Sequence, residues 1–266
     1  MRLEKGAIAL IDALGFREMV ASGVNLGEML GALTKVQKLV REERGRLASG
    51  RVTFRFMSDS ILLGVRESDV RAPIYPGHDA ESPSFAALEA VVRCVYALIR
   101  YSATMPYPMA YRGCITYGDF AIANNYVLGN AVNEAAGMYE LADAALVWLT
   151  PSAMQVFSQS ARPSRDPTFV EFPVPFKGGR TYRTRCVGPF LSGLGKDRPR
   201  ILEGLINSFE HGRASSDLGV QIKKQNTMAF LAKAMNESGH PEVMTQFLLN
   251  RTELAVLASQ PDNQGM

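Results

Sequence analysis

The sequence predicts an α+β fold: an antiparallel sheet with helices packed on it, followed by a C-terminal helical extension. Apolar strand-like runs and helix-like segments succeed one another as β-α-β-β-α-β, the order of a ferredoxin-like core, and a helix, a strand and a hairpin follow. From about residue 198 the chain is helix-forming with no strand-like run. With 266 residues, 47% hydrophobic and 21% charged, it can bury one full core with an appendage more readily than two equal ones.

Ala7 to Ile11 is wholly apolar and reads as a buried strand delivering Asp12 at its end, with Leu14-Gly15-Phe16 opening a helix. That helix runs from Phe16 to Ala21, breaks at Gly23-Val24-Asn25 and resumes from Leu26 to Leu47. Leu30, Leu33, Val36, Leu39 and Val40 form its apolar stripe, and Gly50 stops it. Arg51 to Val65 reads as strand, tight turn and strand, with Ser58-Asp59-Ser60 as the turn. Residues 67–84 read as a loop, with Pro76-Gly77 as a turn and His78 beside it.

Phe85 to Met105 is a second long helix with Ala87, Val91, Val95, Leu98 and Ile99 on one face. Met109 to Tyr117 is a strand, Gly118-Asp119 turns it towards residues 120–123, and Asn124-Asn125 is a turn before Tyr126-Val127-Leu128. Gly129 to Ala142 is a helix, Ala145 to Leu149 a buried strand, and Pro151 starts a short helix. After a polar loop at 158–168, Phe169 to Phe176 and Thr181 to Val187 pair around Lys177-Gly178-Gly179-Arg180. Arg198 to Leu257 is helical, with breaks near Gly212, Gly219 and Ser238-Gly239-His240-Pro241. The expected division is a core domain at 1–192, a helical extension at 193–259 and a disordered polar tail at 260–266.

A net charge of +3 does not argue for a nucleic-acid partner. Cys94, Cys114 and Cys186 are few, odd in number and without CxxC spacing, which points to a reducing compartment. Asp12 interrupts the first apolar run, so no signal peptide is expected, and no long window is apolar enough for a membrane span. A cytoplasmic protein with no direct membrane contact is the expectation.

Two carboxylates at strand ends, Asp12 and Asp59, can meet on adjacent strands. Such a pair suits two-metal phosphoryl or nucleotidyl transfer, with ions roughly 3.5–4 Å apart. The same residues also suit plainer roles, Asp12 as a helix N-cap and Asp59 as a turn former.

On IDALGF, FRFMSDSILLG, YRGCITYGDF, YVLGNAVNEAA and the hairpin ending in Gly179-Arg180-Thr181-Tyr182, residues 5–190 resemble the class III nucleotidyl cyclase catalytic domain. More narrowly they resemble the pyrimidine cyclases of bacterial anti-phage (Pycsar) systems. The resemblance implies that Asp12 and Asp59 bind two divalent cations, Mn²⁺ or Mg²⁺. Ala13 joins them as a metal residue, and the backbone from Ala13 through Gly15 to Phe16 holds the triphosphate. It implies that Asn133 positions the ribose and that Arg180 contacts the terminal phosphates, although Lys177 to Arg180 also reads as a solvated hairpin tip. Ser58 stands where many relatives have glycine. Gly137 stands where purine cyclases carry a phosphate-stabilising arginine, and Arg112 or Arg183 is a candidate replacement.

The positions that read the base are Arg55 and Tyr126, in place of the lysine and aspartate of adenylate cyclases or the glutamate and cysteine of guanylate cyclases. Arginine offers a planar fork of donors to uracil O4, and tyrosine fills the space of a purine's second ring. Arg55 paired with a carboxylate and Tyr126 as ordinary packing is the plainer reading. The resemblance thus implies a homodimeric uridylate cyclase converting UTP to 3′,5′-cyclic UMP and pyrophosphate. Its product would be a second messenger acting on a separate effector in anti-phage defence. A cytidylate cyclase, and a catalytically silent homologue that binds a nucleotide and signals by conformation, stay open as alternatives.

Overall fold

The computed structural model describes residues 2–47, 52–57, 59–70, 82–123, 126–160, 168–189, 197–209 and 217–258. Gly50, Ser58, Pro76-Gly77, His78, Asn124-Asn125, Gly212 and the tail at 260–266 lie outside them.

Strand β1 (Glu4–Leu14) occupies the middle of the sheet, and Gly6 to Ile11 are buried without interruption. It is longer than the apolar run because it has partners on both edges: Asp12 still pairs with Ser60, and Leu14 with Ala110. Asp12 therefore lies inside the strand rather than at its end. Helix α1 (Phe16–Ala21) and helix α2 (Leu26–Leu47) follow. Met29, Val36 and Val40 are buried and Leu33 half-buried, whereas Leu30 is 60% exposed, so the stripe follows a 29-33-36-40 spacing.

Strands β2 (Val52–Met57) and β3 (Ser60–Arg66) form the hairpin that carries Asp59. A short 3-10 turn (Glu67–Asp69) leads towards α3 (Pro83–Ala103). Ser82 caps this helix by accepting from the Phe85 N–H at 3.2 Å, and Pro83 sits where its missing N–H is no loss. α3 is buried nearly all round because the sheet, α2 and later helices pack on different sides of it. Strand β4 (Ala110–Ala123) runs straight through the expected turn at Gly118-Asp119. Pairing with β1 continues to Phe120, and β5 (Tyr126–Leu128) takes over at Ala121, so no point along β4 is left without a ladder.

Helix α4 (Asn130–Met138), β6 (Val147–Leu149), α5 (Pro151–Ser158), β7 (Phe169–Phe176) and β8 (Arg180–Val187) complete the core. β6 starts two residues later than expected, and the Ala145 N–H is bound at 2.8 Å by the Thr227 hydroxyl. The strand order is β2-β3-β1-β4-β6-β8-β7, with β5 on β4. Each of its first four members runs antiparallel to the next, in ferredoxin-like order, and β6 extends the sheet by pairing parallel to β4.

The C-terminal helices α6 (Asp197–Asn207), α7 (Leu218–Glu237) and α8 (Pro241–Ala258) follow. Gly219 lies in the first turn of α7, whose N-cap Asp217 accepts from the Gly219 and Val220 N–H groups, so the helix starts there rather than breaking. Ile201, Leu202, Phe230, Leu231 and Met235 share one apolar cluster with the sheet. Gly204 lies against the Ala103 carbonyl at the end of α3, where a side chain has no room. Phe230 packs edge-on to Phe172 with centroids 5.3 Å apart. No helix among the described residues is long and apolar enough to cross a membrane.

Candidate active site

The two faces of β4 have different neighbours. Tyr111 meets Ser102 of α3 at 3.0 Å, whereas the Thr116 hydroxyl donates to the Ala131 carbonyl of α4 at 2.9 Å, with Cys114 beside it. Strand side chains alternate, so Arg112 shares the α4 face with Cys114 and Thr116. Asp12 is its directly paired partner on β1 and projects to the same face. The result is a close ion pair, Arg112 Nη2 to Asp12 Oδ2 at 2.9 Å, with side chains 8% and 16% exposed.

Burial holds the Asp12 carboxyl above its ordinary value. The Arg112 guanidinium pulls the other way without overcoming this, and the Asp59 and Glu140 charges add to the rise. Arg112 Nε is buried with no acceptor among the described residues.

Asp59 reaches Asp12 through the backbone ladder. Its carbonyl accepts the Ala13 N–H at 2.9 Å, and the next residue, Ser60, pairs with Asp12. Ala13, in register with Tyr111, has only its carbonyl left to offer a metal. Gly15 takes the left-handed conformation, φ +73°, which swings the chain from β1 into α1 and leaves Phe16 half-buried at the helix start.

Beside this turn lies a cleft of about 300 Å³, lined by Leu14, Gly15, Arg112, Lys177, Phe209 and Lys223 among others. Lys177 arrives from the β7–β8 hairpin, whose tip is tied back when its N–H donates to the Leu141 carbonyl at 2.9 Å. Lys223 comes from α7. Lys177 also lies 3.8 Å from Glu140, which accepts the Tyr139 hydroxyl at 2.8 Å. That hydrogen bond draws the Glu140 carboxyl below its usual value and pushes the Tyr139 phenol up to about 12.

The structure therefore brings Asp12, Ala13, Asp59, Gly15, Phe16 and Arg112 together at one end of β1. The other expected residues lie on exposed surface. Arg55 is on edge strand β2 opposite Leu62, and Tyr126 on β5 is 69% exposed. Asn133 is exposed on α4, and Arg180 is exposed opposite Phe176. At Gly137 a side chain meets open space. Of its two candidate replacements, Arg112 touches Asp12, whereas Arg183 pairs with Glu171 at 3.1 Å. Lys177, read from sequence as a hairpin tip, and Lys223, in the extension, are cleft cations that sequence reasoning missed. No local pattern marks either one.

No cluster of three or more His, Cys, Asp or Glu side chains able to hold a metal occurs among the described residues. Two carboxylates and a carbonyl are a partial set of hard oxygen donors. That fits a Mg²⁺-like ion whose remaining ligands are substrate phosphates and water.

No family model and no curated protein sequence matches this chain. Solved structures similar to it include adenylyl and guanylyl cyclases and their catalytic domains. The guanylate cyclase domain of RhGC from Catenaria anguillulae in complex with GTP is 17% identical, covering 70% of this chain and 98% of its own, with a TM-score of 0.49. The adenylyl cyclase CyaB from P. aeruginosa is 13% identical, covering 73% and 98%, with a TM-score of 0.46. The guanylyl cyclase Cya2 is 16% identical, covering 73% and 96%, with a TM-score of 0.45.

Proposed function

We propose that this chain is a nucleotidyl cyclase that converts UTP to 3′,5′-cyclic UMP and pyrophosphate, acting as a homodimer with two divalent cations, Mn²⁺ or Mg²⁺. The observation that carries the proposal is that Asp59, in the β2–β3 turn, is tied through its carbonyl to the Ala13 N–H, next to Asp12 on β1 and beside the left-handed turn at Gly15. In the reaction the ribose 3′-oxygen forms a bond to the α-phosphorus and the bond to the β-phosphate oxygen breaks. The proton of the 3′-hydroxyl passes to solvent and pyrophosphate leaves.

Asp12, Asp59 and the Ala13 carbonyl would hold the cations, which when bound acidify the attacking hydroxyl and neutralise the triphosphate. Gly15 and Phe16 bring backbone to the phosphates. Arg112 orients Asp12 and is the cation we assign in the stead of the arginine that Gly137 replaces. Arg55 donates to uracil O4 and Tyr126 fills the remaining space at the base. A buried donor or acceptor left without a partner by the wrong base costs about 1–3 kcal/mol, enough for useful discrimination.

Arg55, Tyr126, Asn133 and Arg180 are exposed, as is fitting for residues that complete a site across a two-fold interface. A single catalytic unit per chain then requires two copies. The proposed role of the product, a second messenger for a separate effector in anti-phage defence, rests on the sequence resemblance alone.

Incubating the protein with Mn²⁺ and each of the four nucleoside triphosphates, then weighing the products by mass spectrometry, tests the reading. Cyclic UMP is the expected product, and cyclic CMP in its place moves the assignment to a cytidylate cyclase. Cyclisation of ATP with UTP and CTP intact overturns the base assignment. The open space at Gly137 favours one second reading, a silent homologue. That reading predicts nucleotide binding without turnover in both the parent and D59A.

A further inference from the structure

We infer that the C-terminal helices form part of the substrate pocket, and that Lys223 of α7, with Lys177 of the β7–β8 hairpin, holds the diphosphate end of the nucleotide that leaves as pyrophosphate. This rests on the cyclase reading above and adds a binding residue from outside the sheet domain.

The cleft beside Gly15 is built from segments far apart in the chain: the end of β1 and α1, the start of β4, the β7–β8 tip, the turn that follows α6, and α7. Its volume, about 300 Å³, is at the small end for a ligand site and suits a diphosphate rather than a whole nucleotide. Among the described residues four charged side chains line it; Arg112, Lys177 and Lys223 are cations and Glu18 is a carboxylate. Arg112 is 6% exposed, and its Nε–H is buried without an acceptor among the described residues. A guanidinium held there by Asp12 adds fixed positive charge to the cleft wall beside the two lysines, which favours an anionic ligand.

The two lysines are poised rather than committed. Lys177 is 3.8 Å from Glu140 and Lys223 is 4.0 Å from Asp143, both at the outer limit of an ion pair and both partly exposed. Such pairs are weak, so either ammonium can turn to a phosphate at little cost. The backbone under Lys223, by contrast, is held firmly. Its carbonyl accepts the Thr227 hydroxyl at 2.6 Å, Thr227 accepts the Ala145 N–H, and Asn226 donates to the Asp143 carbonyl at 2.8 Å. These contacts seat α7 on the segment between α4 and β6, and the adjoining wall is completed by Phe209 and Val220.

The test is calorimetric titration of the full chain with inorganic pyrophosphate in Mg²⁺ buffer. K177Q and K223Q should each weaken binding about tenfold, the loss expected of one charge-assisted hydrogen bond. K223R should retain most of the affinity. K233Q, which alters a lysine paired with Glu237 elsewhere on α7, should leave it unchanged. No pyrophosphate binding by the parent, or equal binding by parent and K223Q, overturns the inference. Turnover of UTP keeps the two readings apart. Unchanged affinity in K223Q from an active parent removes the lysine and leaves the cyclase. Lost affinity in K223Q from a parent that cyclises no nucleotide removes the cyclase and leaves the pyrophosphate site.

Discussion

Asp12 and Arg112 face each other as directly paired residues of adjacent antiparallel strands, Oδ2 to Nη2 at 2.9 Å, on the side of the sheet that carries α4. Breaking a buried pair from one side leaves the other charge desolvated and uncompensated. R112M should therefore destabilise the protein by about 3 kcal/mol in urea unfolding, the low end for such pairs because Asp12 keeps some exposure. A change within about 0.5 kcal/mol would be that of an ordinary surface site and would mean that the pair is not closed in solution.

The two aspartates should separate in their effects on stability while agreeing on activity. D12A and D59A should each abolish product formation in the mass-spectrometric assay. D12A should also lower the thermal midpoint, because it strands the buried Arg112 guanidinium. D59A, at a hairpin turn, should move the midpoint little. D12N keeps an acceptor for Arg112 and should be more stable than D12A while equally inactive.

A site shared between two copies makes a complementation experiment decisive. D59A and N133A should each be inactive alone, and remixing them after dissociation should restore activity. If half of the dimers formed are mixed and each mixed dimer has one intact site, recovery approaches about a quarter of the parent rate. No recovery from a mixture shown to exchange subunits means that the carboxylate and the asparagine act in the same copy.

Alkaline pH should reveal the Tyr117 contact. Its hydroxyl bonds both Glu67 and Ser84, joining β4 to the 3-10 turn and to the first turn of α3. Burial, first, and the Glu67 hydrogen bond push the phenol up to about 12. Between the ordinary tyrosine value of about 10 and that value, the unfolded chain gives up a proton that the folded chain keeps. The stabilisation is complete below pH ~10 and disappears as pH rises towards about 12. Unfolding midpoints followed from pH 9 to 11 should fall more steeply for the parent than for Y117F. Equal slopes would place the hydroxyl in water.

Much of this architecture was legible because short-range chemistry specifies it. The apolar run at β1, the turn carrying Asp59 and the hairpin around Lys177 each follow from a handful of neighbouring residues. Places where expectation and structure part share one cause. Gly118-Asp119 looks like a turn until two partners hold β4 straight through it, and Ala145 looks like strand until Thr227 takes its N–H. A glycine or an apolar residue states what the backbone permits. The partner that decides among the permitted states is far away in sequence.

By itself, then, the sequence determined the α+β class, the order of elements and the two carboxylates worth watching, since those depend on local periodicity and side-chain chemistry. Only the tertiary structure decided that Arg112 closes on Asp12, that the Asp59 carbonyl takes the Ala13 N–H, and that Lys177 and Lys223 line one cleft. Register across the sheet and the docking of α7 create those meetings. Both depend on which buried surfaces fit one another, a property that no stretch of chain carries alone.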